Sequence, residues 1–134
     1  MCRSDENYID VVVAVIRKEN VVLIARRGPN QSFPGKWEFP GGHVDEGETH
    51  QESLTREITE ELGMRVLVGE SILKFEYDYQ RSDGKKHRFF AFWCQVPEGE
   101  PSLTVHDEYA WVKIEELPSY DFIEADRQLI KFLM

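Results

Sequence analysis

Apolar and polar positions alternate in short blocks along the first part of the chain. Residues 9–17 are rich in β-branched side chains, as a buried strand requires, and residues 21–25 form a second apolar run. The polar segment 18–20 separates them, so the two runs predict a β-hairpin. Residues 28–35 begin and end with a glycine–proline pair and predict a loop, and residues 37–39 predict a short extended segment.

The next block follows a helical period. Leu54, Ile58 and Leu62 recur every four residues and form one apolar stripe. Thr49, with Glu52 three positions later, fits a capping box, so Thr49 is the predicted N-cap. Gly63 predicts the end of the helix, because glycine adopts the left-handed conformation at this position without strain.

The second half of the chain alternates in the manner of strands, with a turn at 82–85 and a loop at 97–108. A C-terminal helix is predicted over 124–132. Strands interrupted by two helices predict an α/β fold, in which a mixed sheet carries helices on its faces. With neither a repeat nor a linker, residues 1–134 are expected to form a single domain. The predicted strands are 66–68, 71–79, 88–96 and 110–113, and the inward-facing helix positions are Ala125, Leu129, Ile130 and Phe132.

Composition and charge narrow the class of protein. The chain has 134 residues, a formal net charge of −9 and only two cysteines, Cys2 and Cys94. Such a charge repels nucleic-acid backbones, and two cysteines make neither a disulfide framework nor a complete zinc site. The chain contains neither an apolar run long enough to span a bilayer nor, at its start, the apolar run of a secretory signal. We therefore expect a cytoplasmic monomer or homodimer that binds neither membranes nor nucleic-acid polymers.

Three acidic residues of the predicted helix point to a metal site. Glu57, Glu60 and Glu61 stand at i, i+3 and i+4, so they share one narrow sector of the helix surface. Carboxylates packed so closely repel one another, and a hard cation such as Mg²⁺ or Mn²⁺ would offset that repulsion. A solvated acidic face is the alternative for Glu60 and Glu61 taken alone.

Neighbouring residues fit the same interpretation. Arg56 could bridge to Glu60 on the helix and to Glu48 in the preceding loop, and so orient the metal-binding face. Gly41 and Gly42 lack a Cβ and allow the backbone to approach a metal or a phosphate closely. The carbonyl of Gly41 is a reasonable additional ligand.

The whole string over residues 42–64 resembles the Nudix signature at every specified position. It comprises Gly42, Glu48, Arg56-Glu57-Ile58, Glu60-Glu61 and Gly63-Met64 at the required spacings. Similarity extends over nearly the whole chain and is greatest to the MutT-type nucleoside triphosphate pyrophosphatases. Segments 24–27, 36–42, 75–79, 98–101 and 121–126 also resemble that group.

The resemblance implies an α/β/α sandwich around a mixed sheet and a hydrolase that cleaves nucleoside diphosphate derivatives with Mg²⁺, for which Mn²⁺ could substitute. Triphosphates would yield the monophosphate and pyrophosphate. Metal would be bound by Glu57, Glu60, Glu61 and the Gly41 carbonyl. Gly42, Glu48 and Gly63 would be structural, and Arg56 would support catalysis. Arg27 and Ser32 would lie beside the nucleotide, and the backbone of Glu38, Phe39 and Pro40 would line its pocket.

Two assignments remain open from the sequence. The general base is either Glu57 or Glu108, which falls in the predicted loop. Asp126 stands where MutT enzymes acting on oxidised guanine have asparagine, and related enzymes acting on cytosine nucleotides have aspartate. A carboxylate only accepts hydrogen bonds, which suits the exocyclic amine of cytosine. Alternatively, Asp126 caps the last helix or is simply solvated.

The function with the strongest support in the sequence is Mg²⁺-dependent hydrolysis of nucleoside or deoxynucleoside triphosphates, with pyrimidine and damaged nucleotides among the candidates. Hydrolysis of a nucleotide sugar, ADP-ribose or a dinucleoside polyphosphate is an alternative, because the signature is shared by enzymes for all of them. A non-catalytic nucleotide-binding module is a third possibility, but it predicts the loss of signature carboxylates, and all of them are present.

Overall fold

The computed structural model describes residues 7–97 and 99–134. Cys2, the N-terminal segment 1–6 and Glu98, which begins the segment 98–101, lie outside these residues. Short 3-10 helices occupy Ile114–Ser119 and Glu124–Asp126. The strands and α-helices follow in the order β1 (Tyr8–Lys18), β2 (Val21–Arg27), β3 (Trp37–Glu38), β4 (Gly41–His43), α1 (His50–Leu62), β5 (Leu67–Tyr77), β6 (Lys86–Gln95), β7 (His106–Lys113) and α2 (Arg127–Leu133).

Strand β1 is the centre of a mixed sheet. It pairs in parallel with β6 from Tyr8 to Ile16, and β5 continues the sheet antiparallel to β6. On its other edge β1 meets β4 and then the start of β2, both antiparallel. Strands β3 and β7 pair with β2. The mixed sheet expected from the sequence is confirmed.

The side chains of β1 alternate between two buried cores, one on each face of the sheet. Val11, Val13 and Val15 belong to the core that also contains Leu129 of α2. Val12, Ala14 and Ile16 belong to the core that contains Leu54, Ile58 and Leu62 of α1. The two helices therefore cover opposite faces, and the expected α/β/α sandwich is confirmed. Burying each large apolar side chain of α1 contributes about 1.5–3 kcal/mol.

Helix α1 begins and ends where its sequence predicts. The Thr49 hydroxyl accepts from the Glu52 amide at 3.1 Å, and the Glu52 carboxylate accepts from the Thr49 amide at 2.9 Å. Gly63 ends the helix with a left-handed backbone at φ 61°. These contacts satisfy backbone groups that the helix itself leaves unpaired, so the position of α1 in the sequence is sharply determined.

Three predictions of secondary structure were wrong in part. The predicted strands 66–68 and 71–79 form one strand, β5, whose pairing with β6 is irregular around Ser71. The predicted loop 97–108 gives way to β7 at His106. In the C-terminal helix, Phe132 is 57% exposed instead of facing inward. Within the described ranges, none of the helices is long and apolar enough to cross a membrane.

Candidate active site

A cavity of about 470 Å³ opens on the side of the sheet where β1, β4 and the segment before β4 meet. Its walls come from parts of the chain that are far apart in sequence, including the loop between β2 and β3, α1 and the C-terminal segment. Most of the residues expected at the site are found here. Its lining includes Arg27, Ser32, Phe33, Glu38, Phe39, Gly41, Gly42, His43, Glu61, Tyr79, His87 and Asp126.

The two glycines of β4 allow its backbone to lie very close to the neighbouring strand and helix. A Cβ on Gly41 would lie 2.0 Å from the Val12 carbonyl oxygen, and one on Gly42 would lie 1.9 Å from Glu57 Oε2. Any larger residue would push β4 away from β1 or displace the Glu57 carboxylate. Gly42 thus brings the backbone of β4 directly against the Glu57 carboxylate of α1, and Gly41 brings it directly against β1.

Glu61 is buried among other carboxyl groups. Burial, followed by the negative charges of Glu38 and Glu57, raises the pKa of Glu61 to about 9, although a backbone hydrogen bond at Gly41 opposes the shift. Its Oε1 atom is buried and has no hydrogen-bond partner in the described part of the chain. A buried carboxylate oxygen beside two further carboxylates lacks a compensating positive charge.

Arg56 joins the loop before α1 to the acidic face of the helix. It donates to both carboxylate oxygens of Glu48, at 2.8 and 3.0 Å, and to Glu57 Oε1 at 2.7 Å and Glu60 Oε1 at 3.2 Å. The hydrogen bonds from Arg56 and then from the Ser53 hydroxyl lower the pKa of Glu48 to about 2. Both bridges expected of Arg56 are present, and they fix the orientation of the helix face.

The fit of a divalent cation to this face can be judged from the donors. Among residues 7–97 and 99–134, no three carboxylate, imidazole or thiol groups converge in a metal-binding arrangement. Arg56 engages one oxygen each of Glu57 and Glu60, and the Glu60 side chain is 59% exposed. The unpartnered Glu61 oxygen, crowded by like charges, is nevertheless the donor that a hard cation prefers. The residues therefore fit such an ion.

A second network is centred on Glu38, at the end of β3. Arg27 donates to Glu38 Oε1 at 2.6 Å, and His106 Nε2 lies 2.7 Å from Glu38 Oε2. Arg27 also donates to the backbone carbonyl of Ser32 and, at 2.9 Å, to the Ser32 hydroxyl. Arg27 and Ser32 thus lie together in the cavity wall, and their hydrogen bonds hold the loop at 28–35 in place.

His106 was not predicted as a site residue. It joins Glu38 across 68 positions of the sequence, and a single histidine in a segment interpreted as a loop carries no local signal. Only strand-like alternation of polar and apolar residues could have indicated the position of His106, and the sequence predicts a loop there.

Asp126 is buried in the wall of the cavity. It is 2% exposed, and its Oδ2 accepts the backbone N–H of Phe39 at 2.9 Å. Burial, followed by the negative charge of Glu38, raises the pKa of Asp126 to about 8. Although it stands at the N-terminus of α2, its side chain does not cap the helix. The capping and solvated alternatives are both wrong.

The raised pKa of Asp126 changes which hydrogen bonds its carboxyl group can make. Below about pH 8 the Asp126 carboxyl is protonated, and its hydroxyl can donate as well as accept. It then offers a base edge the same two capabilities as an asparagine amide. The expectation that Asp126 suits a donating edge, such as the amine of cytosine, applies to the ionised carboxylate and stays a prediction.

Glu108 is not brought to the cavity. It pairs in register with Arg26 on β7, its carboxylate lies 3.1 Å from Arg26 Nη1, and its side chain is 51% exposed. An irregularity in the pairing between Arg26 and Arg27 puts Glu108 on the face of Arg26, whereas His106 pairs with Arg27 and faces Glu38. The prediction that Glu108 lies in a loop was wrong, and its carboxylate contacts Arg26 on β2.

Comparison with known proteins gives the family. A family model described as the NUDIX domain matches residues 7–133. The chain belongs to the Nudix family. It is a MutT-like Nudix hydrolase: it is similar to the CTP pyrophosphohydrolase of Escherichia coli (strain K12), with 33% identity over 94% of this chain and 91% of that protein. It is also similar to the 8-oxo-dGTP diphosphatase of Haemophilus influenzae, with 34% identity over 97% and 94%.

A solved structure agrees with these relatives. The crystal structure of the MutT protein from Methanosarcina mazei Go1 superposes with a TM-score of 0.81 at 30% identity, covering 96% of this chain and 94% of that one. Nudix hydrolases act on phosphoanhydride bonds of small nucleotide substrates and generally use divalent metals, typically Mg²⁺. The acidic face of α1 is the part of this Nudix hydrolase that fits such an ion.

Proposed function

We propose that this Nudix hydrolase is a Mg²⁺-dependent pyrophosphohydrolase of nucleoside and deoxynucleoside triphosphates, releasing the monophosphate and pyrophosphate. The observation that carries the proposal is one cavity of about 470 Å³ whose lining includes both Glu61 and Asp126. The first is a group for metal and phosphate, and the second is a buried group for a base edge. The names of the two relatives, one acting on CTP and one on 8-oxo-dGTP, support pyrimidine and damaged nucleotides as substrates.

The acidic end would carry the chemistry. Glu57, Glu60, Glu61 and the Gly41 carbonyl would hold the metal, for which Mn²⁺ could replace Mg²⁺. Bound divalent ions would supply charge neutralisation at the phosphate oxygens and a lower pKa for the attacking water. Glu60 would have to leave Arg56, with which it now pairs at 3.2 Å.

Glu57 would accept the proton from the attacking water. Its carboxylate lies against Gly42 at the edge of the cavity, whereas Glu108 faces Arg26 on the opposite side of the sheet. Arg56 would keep Glu57 oriented through their contact at 2.7 Å. Gly42, Glu48 and Gly63 would act through structure alone.

The other end would bind the nucleoside. Arg27 and Ser32 line the cavity and would lie beside the nucleotide, and Phe39 is buried where a base would rest. The backbone of Glu38, Phe39 and Pro40 would form the floor of this pocket, because Pro40 is fixed to β1 by the bond from the Ala14 amide at 2.8 Å. Asp126 would contact the base edge. Residues 1–134 would act as one domain.

A substrate panel tests the proposal. CTP, dCTP, UTP, GTP, 8-oxo-dGTP, UDP-glucose and ADP-ribose are each incubated with the enzyme and Mg²⁺, and pyrophosphate, orthophosphate and sugar phosphate are measured separately. We expect pyrophosphate from at least one triphosphate at a kcat/KM about tenfold or more above that for UDP-glucose and ADP-ribose. Exposed Glu115, changed to Gln, is the matched control and should leave the profile unchanged. Faster cleavage of UDP-glucose or ADP-ribose would overturn the substrate assignment.

A further inference from the structure

His106 is the most deeply buried histidine in contact with the site. Its side chain is 0% exposed, although histidine is a residue that water solvates well. Within the described residues its Nδ1 has no hydrogen-bond partner, so Nε2 is the atom that ties the ring to its surroundings. That atom lies 2.7 Å from Glu38 Oε2. A polar ring buried for packing alone would be replaced by an apolar one at a gain in stability.

The contact also depends on where the His106 ring carries its proton. The contact with Glu38 Oε2 is a hydrogen bond in the form of the ring that carries a proton on Nε2, which then donates to the carboxylate. The pairing of the strands favours this contact. His106 on β7 is in register with Arg27 on β2, and Glu38 on β3 is in register with Ala25, two residues before Arg27.

Glu38 is in turn divided between two partners. Oε2 accepts from His106 and Oε1 accepts from Arg27 at 2.6 Å, which leaves the carboxylate one orientation. With the Glu38 charge fixed, Arg27 extends its remaining donors to Ser32. A chain of contacts therefore runs from the interior of β7 to the exposed loop at 28–35.

That loop carries a residue that faces the cavity. Phe33 is 51% exposed, has a positive φ of 51° and lies 5.8 Å from the ring of Tyr79. A positive φ is costly for a phenylalanine and persists only where its surroundings impose it. The bonds from Arg27 to Ser32, the residue just before Phe33, are such a constraint.

We propose that His106 is a positioning residue for nucleotide binding: by holding Glu38, it fixes Arg27 and the loop at 28–35 over the nucleoside end of the cavity. This inference rests on the proposed function. Among the described residues, the side-chain hydrogen bond of His106 goes to Glu38 and not to Glu57, Glu60, Glu61 or Arg56. Replacing His106 leaves the carboxylate of Glu38 in the protein beside Glu61, so the effect falls mainly on substrate affinity and leaves the chemical step largely unchanged.

The test compares three substitutions of one side chain. In His106→Gln the amide nitrogen can reach the position of Nε2 and donate to Glu38; in His106→Asn it falls short, and in His106→Leu it is absent. With CTP and Mg²⁺ we expect KM to rise about tenfold in the Asn and Leu variants, with kcat within about threefold of wild type, and to stay near wild type in the Gln variant. His50→Leu, which removes a ring whose centroid lies 4.1 Å from that of Phe90, is the matched control and should change neither constant.

A double-mutant cycle separates positioning from packing. If His106 acts through Glu38, adding His106→Leu to Glu38→Gln raises KM by less than about twofold beyond Glu38→Gln alone. A purely structural His106 would give equal KM values for the Gln and Asn variants, or independent effects in the cycle, and either result would overturn the proposal.

A second measurement stands apart from turnover. In NMR spectra the Arg27 guanidinium protons should exchange slowly with water in wild type and in His106→Gln, and rapidly in His106→Asn and His106→Leu. Fast exchange in the wild type, or the same exchange rate in all four proteins, would also refute the positioning role. If the wild type instead shows this protection but hydrolyses no triphosphate, the proposed substrate is wrong and the positioning of Arg27 still stands.

Discussion

Two networks of charged side chains lie beside the cavity, and they are built in contrasting ways. The Arg56 network (Asp45, Glu48, Arg56, Glu57 and Glu60) comes from one short stretch of sequence, and its central side chain is 28% exposed. The Glu38 network (Arg27, Ser32, Glu38 and His106) comes from β2, the loop after it, β3 and β7, and the side chains of Glu38 and His106 are 11% and 0% exposed.

The difference teaches where each network derives its strength. The Arg56 side chain is more exposed than Glu38 or His106, and its pairs with Asp45 and Glu60 are screened by water and contribute little, so the Arg56 network acts mainly by directing Glu57. In the Glu38 network, removing one partner leaves a buried charge uncompensated, which costs far more than the pair itself is worth. The side chains of the acidic face of α1 are therefore oriented by residues close in sequence. Those at the nucleoside end of the cavity are oriented by tertiary contacts.

The largest expected effect is on kcat and comes from substitutions at the acidic face of α1, where the two networks meet. Glu61 lies near Glu57 of the first and Glu38 of the second, and both raise its pKa. We expect Glu61→Gln and Glu57→Gln each to lower kcat about 10²-fold or more, because a charged donor to the metal or the acceptor of the proton is lost. Steady-state kinetics with Mg²⁺ and thermal unfolding measure activity and fold together. Near-native rates in both folded variants would contradict the assignment of this face.

An intermediate effect is expected at Asp126, beside the Glu38 network. Its folded pKa, about 8, lies above its unfolded value, so the folded protein holds the proton more tightly. Its contribution to stability is therefore fully present below about pH 4 and is lost as the pH rises to about 8. In Asp126→Asn this loss should disappear, as measured by urea unfolding at several pH values, with Glu38, Arg27 and Tyr79 still in place around the side chain.

The same substitution tests base recognition. The ratio of kcat/KM for CTP to that for GTP should change about tenfold in Asp126→Asn above about pH 8, where the ionised carboxylate only accepts and the amide can also donate. Below that pH the ratio should change little, because the neutral acid has the same two capabilities as the amide. Asp121→Asn, at a side chain that is 62% exposed, is the matched control for both measurements. An unchanged ratio above about pH 8 would remove Asp126 from base recognition, and an unchanged pH dependence would mean that its carboxyl is ionised in the folded protein.

The smallest effect sharpens the local side of the comparison. Thr49→Ala removes the hydroxyl that caps α1 just before the Arg56 network, at a cost of about 1 kcal/mol, and should lower Tm by a few degrees with kcat unchanged. Thr55→Ala, whose hydroxyl bonds back to the Gln51 carbonyl at 2.8 Å within the helix, is the control and should shift Tm less. Equal shifts would show that the cap adds nothing to the stability of the helix.

The sequence predicted the locally encoded parts well. The limits of α1 and the contacts of Arg56 follow from residues within a few turns of one another, where helical spacing determines distance. The strand at His106 and the solvent-facing position of Glu108 could not be predicted, because an irregular register between Arg26 and Arg27 decides which face each residue takes. The burial of Asp126 depends on the Phe39 amide, 87 positions away, and helical periodicity carries no information about that contact.

The parallel pairing of β1 with β6 has a consequence for synthesis of the protein. Asp10 of β1 and Arg88 of β6 form an ion pair across 78 positions of the sequence. The pairing of the two strands therefore cannot be completed until β6, which ends at Gln95, has been synthesised. As the chain leaves the ribosome, the valine-rich strand β1 therefore lacks its parallel partner while most of the chain is being synthesised. Exposed strands of this kind attract other chains. Conditions that slow elongation between residues 20 and 86 should therefore favour aggregation of the nascent protein over folding.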